Sequence, residues 1–208
     1  MGADKLLVPL LGVPVLQRTI DAFLACPDIS EMILIAPPER AAALQLPPHC
    51  KVVDGGAERH HSVWAGLQLA TQSLVAVHDG ARPLVSAEAI SRTISAAAMH
   101  GAATLAKPVT ETLKRANANQ QVEPTSAPID RNQLWSMETP QIFRRELLVA
   151  AYELVLAGNH LVTDEVSAMQ LLGHPVQLVE STSPNLKVTY PADLALAERL
   201  LITANSHA

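Results

Sequence analysis

Leu74 to Val77 form an unbroken apolar run, and His78, Asp79 and Arg82 follow at once. A run without polar alternation predicts a strand covered on both faces. An acid at the carboxyl end of such a strand lies where open α/β sheets bind ligands. Ser86 predicts a helix N-cap, Ala87, Ile90, Ile94 and Ala97 recur at helical spacing, and Gly101 marks the stop. The unit reads as strand, polar elbow, helix.

The same alternation runs through most of the chain. Met1 to Lys5 carry no strand pattern, and Leu6 to Leu11, interrupted by Pro9, predict a loop or short extended piece. Pro14 opens a helix whose apolar face is Leu16, Ile20, Phe23 and Leu24, closed by Cys26-Pro27. Met32 to Ala36 predict a buried strand, Pro37-Pro38 a turn, Glu39 to Leu46 a short helix, and Lys51 to Asp54 the next strand. After Gly55-Gly56, the spacing of Val63, Leu67 and Ala70 predicts a helix over 60–72.

Ala102 to Ala106 predict another buried strand. The stretch from Thr110 to Ile129 is polar with no helical face, and reads as a protruding hairpin or arm with Thr112 to Arg115 as one leg and the residues before Ile129 as the other. Arg144 to Ala157 predict a helix ended by Gly158, and Asp164 caps a helix to Leu172 that Gly173 stops. Val176 to Val179 and Leu186 to Thr189 predict strands, and Pro191 opens a last helix through Leu201. The expected fold is a single α/β domain over residues 1–208, Rossmann-like, with a mostly parallel sheet and helices on both faces.

Composition narrows the partners. Of 208 residues only 17% are charged, with a net charge of −5 and an isoelectric point near 5.9, and no basic stripe carries interleaved aromatics. These features speak against nucleic acid as a partner. No apolar run reaches membrane-spanning length and no secretion signal is visible, so the expected compartment is the cytoplasm. Two cysteines, Cys26 and Cys50, suit a reducing environment.

Several residues could carry chemistry. Asp79 could hold Mg²⁺ together with water and phosphate oxygens, or simply pair with Arg82. Gly55-Gly56 ahead of a helix could admit a nucleotide backbone, with Ser62 and helix amides as donors. Lys187, between apolar neighbours, could meet a phosphate. Arg59 reads as a solvated charge, Asp164-Glu165 as a helix cap, Trp64 and Trp135 as packing residues, and His60, His61 and His78 as core or solvated histidines. From the residues alone, the chain is a parallel α/β protein that binds a phosphorylated small molecule with Mg²⁺.

An ordered set of strings extends this reading. They are Lys5-Leu-Leu-Val-Pro-Leu10, Asp54-Gly-Gly-Ala-Glu-Arg-His-His-Ser62-Val63, Val77-His-Asp-Gly-Ala-Arg-Pro83, Asp130-Arg-Asn-Gln-Leu-Trp135, Thr139-Pro-Gln-Ile-Phe143, Thr163-Asp-Glu165 and Leu186-Lys-Val-Thr189. The chain resembles, over nearly its whole length, the cytidylyltransferases that make 4-diphosphocytidyl-2-C-methyl-D-erythritol in the non-mevalonate isoprenoid pathway. The resemblance implies a nucleotide-diphospho-sugar transferase type of fold and condensation of CTP with 2-C-methyl-D-erythritol 4-phosphate, releasing pyrophosphate. It implies that Asp79 holds Mg²⁺ and that Lys5 stabilises the transition state. Lys187 would place the erythritol phosphate, while Gly56, Ala57, Ser62, Gly80 and Asp79 contact the nucleotide. It further implies a homodimer clasped through the arm at about 110–130, with Arg145 reaching the neighbour's substrate phosphate. Rival readings are a cytidylyltransferase for another polyol phosphate, such as ribitol 5-phosphate, and a non-catalytic nucleotide-binding dimer.

Two departures from the family pattern carry expectations. Pro128 replaces a threonine two residues before Asp130-Arg131, with one substrate contact expected to be lost. Family members begin with a buried strand and a glycine-rich loop, Ala-Ala-Gly-x-Gly-x-Arg-Met, and Met1-Gly2 falls at the tail of that loop. The first strand of a doubly wound sheet is central, so its omission predicts two unpaired interior edges. The expectation is that translation begins upstream, and that the 208-residue chain alone binds CTP poorly and turns over slowly.

Overall fold

The computed structural model describes residues 4–122, 124 and 127–205. Met1 and Gly2, which the sequence assigns to the tail of a glycine-rich loop, lie outside the described residues. The strands are β1 (Pro9–Leu10), β2 (Val13–Pro14), β3 (Ile33–Ile35), β4 (Lys51–Val53), β5 (Leu74–Val77), β6 (Ala102–Pro108), β7 (Trp135–Arg144) and β8 (Gln177–Glu180). The helices are α1 (Val15–Leu24), α2 (Pro38–Ala41), α3 (Arg59–Leu69), α4 (Ala87–His100), α5 (Arg145–Ala157), α6 (Glu165–Leu172) and α7 (Pro191–Asn205).

The main sheet has four strands in the order β5-β7-β6-β8. β7 is antiparallel to β5 and β6, and β6 is parallel to β8, so β5, β6 and β8 run one way and β7 alone runs back. β3 and β4 form a separate parallel pair. Between β3 and β5 lies a cleft of about 460 Å³, and across it neither strand has a strand partner among the described residues. The expected pair of unpaired edges is therefore present.

Alternation along β5 sends its side chains to opposite layers. Val75 and Val77 pack with α3, α5 and α6 through Leu67, Leu148, Tyr152 and Met169. Leu74 and Ala76 face α4, where Ile94 and Ala97 meet Ala103 and Ile142. Helices thus cover both faces. The Ser86 hydroxyl accepts from the Ala89 N–H at 3.1 Å to start α4, and Gly101, at φ 86°, ends it in the left-handed region that favours glycine.

Several elements differ from expectation. β7 was not foreseen, because Glu138, Thr139 and Gln141 are buried polar residues and Pro140 interrupts the apolar pattern. The polar excursion is the connection between β6 and β7, closed where Val109 N–H donates to Leu134 C=O at 3.0 Å. Its described residues between 110 and 133 form no strand, so the two expected legs are absent there; none of them is buried. Leu186 to Thr189 is an extended loop, held by one backbone bond from Val188 N–H to Ala81 C=O at 2.8 Å. Leu24 is 49% exposed and does not belong to the apolar face of α1. The left-handed residue after α5 is Asn159, at φ 48°, since Gly158 keeps a right-handed conformation.

Candidate active site

The carboxylate of Asp79 emerges where β5 ends, and three cations converge on it. Lys187 Nζ lies 2.9 Å from Oδ2, Arg82 Nε 3.4 Å from Oδ2, and Arg59 Nη2 4.0 Å from Oδ1. Burial alone would raise the Asp79 pKa, but the Lys187 hydrogen bond and the charges of Lys187, Arg82 and Arg59 outweigh it and hold it below the ordinary value. With the Glu165 carboxylate on Arg59 counted, two negative charges meet three positive ones, and one positive charge is left over. The Lys187 side chain is 46% exposed, so its ammonium is open to a ligand.

The loop that carries Asp79 is fixed from below. Asp79 N–H donates to Thr139 Oγ1 at 3.0 Å, and Thr139 Oγ1 lies 3.1 Å from His78 Nδ1. His78 Nε2 lies 3.3 Å from the Arg82 carbonyl. A carbonyl only accepts, so Nε2 carries the ring proton, and Nδ1, as the acceptor of a neutral ring, takes the Thr139 hydroxyl proton. Burial, the largest cause, lowers the His78 pKa to about 4, which keeps that ring neutral. On the far side Asn185, 2% exposed, donates to Glu138 Oε2 at 2.9 Å and to Thr139 C=O at 2.8 Å. Arg82 Nη1 donates to the Asn185 carbonyl at 2.8 Å, and Lys107 Nζ sits 3.0 Å from Glu138 Oε1. The 185–189 loop that presents Lys187 is therefore tied to β7 and to the Asp79 loop.

A second wall comes from the exposed loop between β4 and α3. Gly56 N–H donates to Ser62 Oγ at 3.0 Å, and Ser62 Oγ–H is directed to the Glu58 carbonyl at 3.3 Å. A Cβ on Gly56 would lie 2.3 Å from His61 Cβ, so the turn admits no side chain. Ser62, read from sequence as a nucleotide donor, is occupied in shaping this loop. Ala57 lies on it, exposed.

Arg59 begins α3 and is no solvated charge. Its Nη1 and Nη2 lie 2.6 and 2.9 Å from Oε1 and Oε2 of Glu165, which is fully buried. Tyr152 O–H donates to Glu165 Oε1 at 2.9 Å. Burial would lower the Arg59 pKa; the Glu165 carboxylate reverses this and raises it, so the guanidinium stays charged. Asp164 does cap α6, accepting from Ser167 N–H at 2.9 Å, while Glu165 turns inward.

The other sequence-derived candidates divide. Gly80 is packed, since a Cβ there would lie 2.8 Å from Leu16 Cδ1 and 4.0 Å from Leu6 Cδ1. Leu6 thereby brings its neighbour Lys5 to the same end of the sheet, half-buried and without an ion pair among the described residues. Arg145 goes elsewhere. Because β7 runs against β5, α5 starts at the opposite end from Asp79, where Arg145 N–H donates to Ser73 C=O at 2.8 Å. Its Nε is buried without a hydrogen-bond partner among the described residues, and within one chain Arg145 lies away from Asp79 and Lys187. Sequence reasoning missed Arg59, Glu165, Thr139 and Glu138. Glu138 and Thr139 were signalled by polarity beside the apolar Ile142-Phe143 of a buried strand, whereas Arg59 and Glu165 sit in polar stretches that give no local signal.

The arrangement can gather a polyanion and hold it against a fixed carboxylate. Comparison with known proteins agrees with that chemistry. The family model described as IspD: 2-C-methyl-D-erythritol 4-phosphate cytidylyltransferase matches residues 1–203. A relative of that name from Symbiobacterium thermophilum is 40% identical over 205 residues, covering 96% of this chain and 86% of the relative. A chloroplastic one from Oryza sativa subsp. japonica is 40% identical, covering 97% and 70%. The crystal structure of the enzyme of that name from Thermus thermophilus superposes with a TM-score of 0.81 at 33% identity, over 96% of this chain and 94% of that one. The chain belongs to the 2-C-methyl-D-erythritol 4-phosphate cytidylyltransferase (IspD) family.

Proposed function

We propose that the pocket around Asp79 is where this cytidylyltransferase joins CTP to 2-C-methyl-D-erythritol 4-phosphate. The observation that carries the reading is the convergence of Lys187, Arg82 and Arg59 on one carboxylate at a strand end. A phosphate oxygen of the erythritol phosphate attacks the α-phosphorus of CTP. The new oxygen–phosphorus bond forms as the bond to the bridging oxygen breaks, and pyrophosphate leaves with that electron pair. Such transfer depends on positioning and on neutralising phosphoryl oxygens.

Lys187 donates to the erythritol phosphate while Asp79 anchors its ammonium. Lys5, brought alongside by Leu6, neutralises charge on the phosphoryl group in flight. Arg82 and Arg59 keep Asp79 ionised and in place, and the Gly55-Gly56 turn lets the nucleotide approach the backbone. Asp79 also fits Mg²⁺ that arrives with its nucleotide. Among the described residues its Oδ1 is paired only with Arg59, at 4.0 Å, and one carboxylate plus phosphate oxygens and water is a donor set this ion accepts. When bound, the ion would screen triphosphate charge and polarise the phosphoryl oxygens.

The polar connection at 110–133, none of whose described residues is buried, supports a homodimer clasped through it. No helix among the described residues is long and apolar enough to cross a membrane, which suits a cytoplasmic enzyme. The test is pyrophosphate release from CTP with each of two acceptors. Turnover with 2-C-methyl-D-erythritol 4-phosphate and little with ribitol 5-phosphate is expected; the reverse order would overturn the substrate assignment.

A further inference from the structure

Lys187 stands on a loop with little backbone support of its own. Ser181 N–H donates to Ala106 C=O at 2.9 Å and Val188 N–H to Ala81 C=O at 2.8 Å. Residues 182–187 between them make no backbone–backbone hydrogen bond among the described residues. Side chains hold this span instead. Arg82 Nη1 reaches the Asn185 carbonyl at 2.8 Å, and the Asn185 side chain, two residues before Lys187, is buried against β7. Its Nδ2 donates to Glu138 Oε2 at 2.9 Å and to the Thr139 carbonyl at 2.8 Å.

Glu138 is the fixed end of this contact. Its backbone carbonyl accepts from Thr104 Oγ1 and from Gln141 Nε2, each at 3.2 Å, and its second carboxylate oxygen, Oε1, lies 3.0 Å from Lys107 Nζ. β5 and β6 run in the same direction, so Lys107, near the end of β6, stands at the Asp79 end of the sheet. Two donors approach the Glu138 side chain, one per oxygen, and only a carboxylate offers an acceptor to each. Asn185 Oδ1, by contrast, is buried with no partner among the described residues. A buried carbonyl oxygen without a donor costs stability, so packing does not account for it. Orientation does: Glu138 Oε2 and the Thr139 carbonyl only accept, and together they turn the amide nitrogen toward β7 and fix the rotamer from which the Lys187 loop hangs.

We propose that Glu138 is a positioning residue for the acceptor phosphate, acting through Asn185 to hold Lys187 where it meets that phosphate, a role that rests on the assignment of Lys187 to the erythritol phosphate. The Glu138 side chain is only 7% exposed, so it works through Asn185 and not by contact with substrate. Misplacing a reacting group by about 1 Å can cost about 10²-fold in rate, so the setting of the loop matters alongside the charge it carries. Arg82 couples the same loop to Asp79, since its Nε lies 3.4 Å from Asp79 Oδ2 while its Nη1 holds Asn185. The nucleotide side, built on the Gly56 loop and Arg59, takes no bond from Glu138 or Asn185 among the described residues. The effect of Glu138 therefore falls on the acceptor and not on CTP.

Steady-state kinetics of Glu138→Ala and Glu138→Gln, each made in the parent and in Lys187→Met, test this. Glu138→Ala should lower kcat/KM for 2-C-methyl-D-erythritol 4-phosphate about tenfold or more, mostly through a raised KM for that substrate, with KM for CTP within about threefold of the parent. Glu138→Gln leaves one good acceptor for two donors and should lose about three- to fivefold in the same direction. In Lys187→Met there is no lysine left to place, so either substitution should cost less than about twofold. The same factor in both backgrounds, a loss shared equally by CTP, or parent-like kinetics of Glu138→Ala would overturn the proposal. If Glu138→Ala does not fold, the isosteric Glu138→Gln decides by its own loss and by the disappearance of that loss in Lys187→Met. Parent-like turnover of Lys187→Met would overturn the assignment of Lys187 and this role with it. A strongly impaired Lys187→Met in which Glu138→Ala costs its full factor again would overturn this role alone.

Discussion

Both carboxylate oxygens of Glu165 are bound by the guanidinium of Arg59, 106 residues away in sequence, at 2.6 and 2.9 Å. This pair fastens the first residue of α3 to the first residue of α6, and leaves Arg59 Nη2 4.0 Å from Asp79. A fully buried carboxylate is tolerated here because three donors, two from Arg59 and one from Tyr152, saturate it. Glu165→Gln keeps the shape and removes the charge. With Arg59 37% exposed, the expected loss is about 2–3 kcal/mol, at the lower end for a broken buried pair. Urea unfolding measures it; unchanged stability would show that the pair is dispensable.

The second prediction concerns acid. His78 has an ordinary pKa of 6.5 and is held at about 4 by burial. The unfolded chain therefore takes up this proton first as pH falls, so stability declines from about pH 6.5 downward and levels off below about pH 4. A lowering of that size corresponds to about 3 kcal/mol. Unfolding free energies at pH 7, 5 and 4 should fall by about that amount beyond other groups, and His78→Asn should lose correspondingly less. Asp79 acts lower, because its depressed pKa withdraws ion-pair stability only as pH drops below its ordinary value of 3.8.

The turn before α3 gives a third. Gly56→Ala forces a Cβ to within 2.3 Å of His61 Cβ and must displace the loop, whereas Ser62→Ala removes only the hydroxyl that Gly56 N–H uses. CTP affinity, measured by calorimetry, should fall more for Gly56→Ala than for Ser62→Ala. The latter should lose about 1 kcal/mol of stability, the usual net worth of one hydrogen bond. Equal affinities in both variants would show that the loop does not meet the nucleotide.

Much of this fold was legible because its strands and helices are written in apolar periodicity. Leu74 to Val77 placed β5, Ser86 and Gly101 bounded α4, and Asp164 and Gly173 bounded α6, each through local chemistry that the structure retains. β7 was illegible because its partners supply what its own sequence lacks. Gln141 accepts from the Glu165 and Val166 amides, and Glu138 meets Asn185 and Lys107, so polar residues are satisfied inside the sheet. Asp79 could be found from its place at a strand end. Arg59 and Glu165 could not, since a charge looks solvated until its distant partner is known.

The central claim is that Asp79 and Lys187 form the phosphate-handling centre of the reaction. Its most direct test is kcat/KM for pyrophosphate release from CTP and 2-C-methyl-D-erythritol 4-phosphate, with Lys187→Met and Asp79→Asn compared to the parent chain. Each variant should lose about 10²–10³-fold, the scale of removing one preorganised charge from a transition state. The double variant should lose less than the product of the two, because the pair acts as a unit. Turnover within a few-fold of the parent in both single variants would contradict the account.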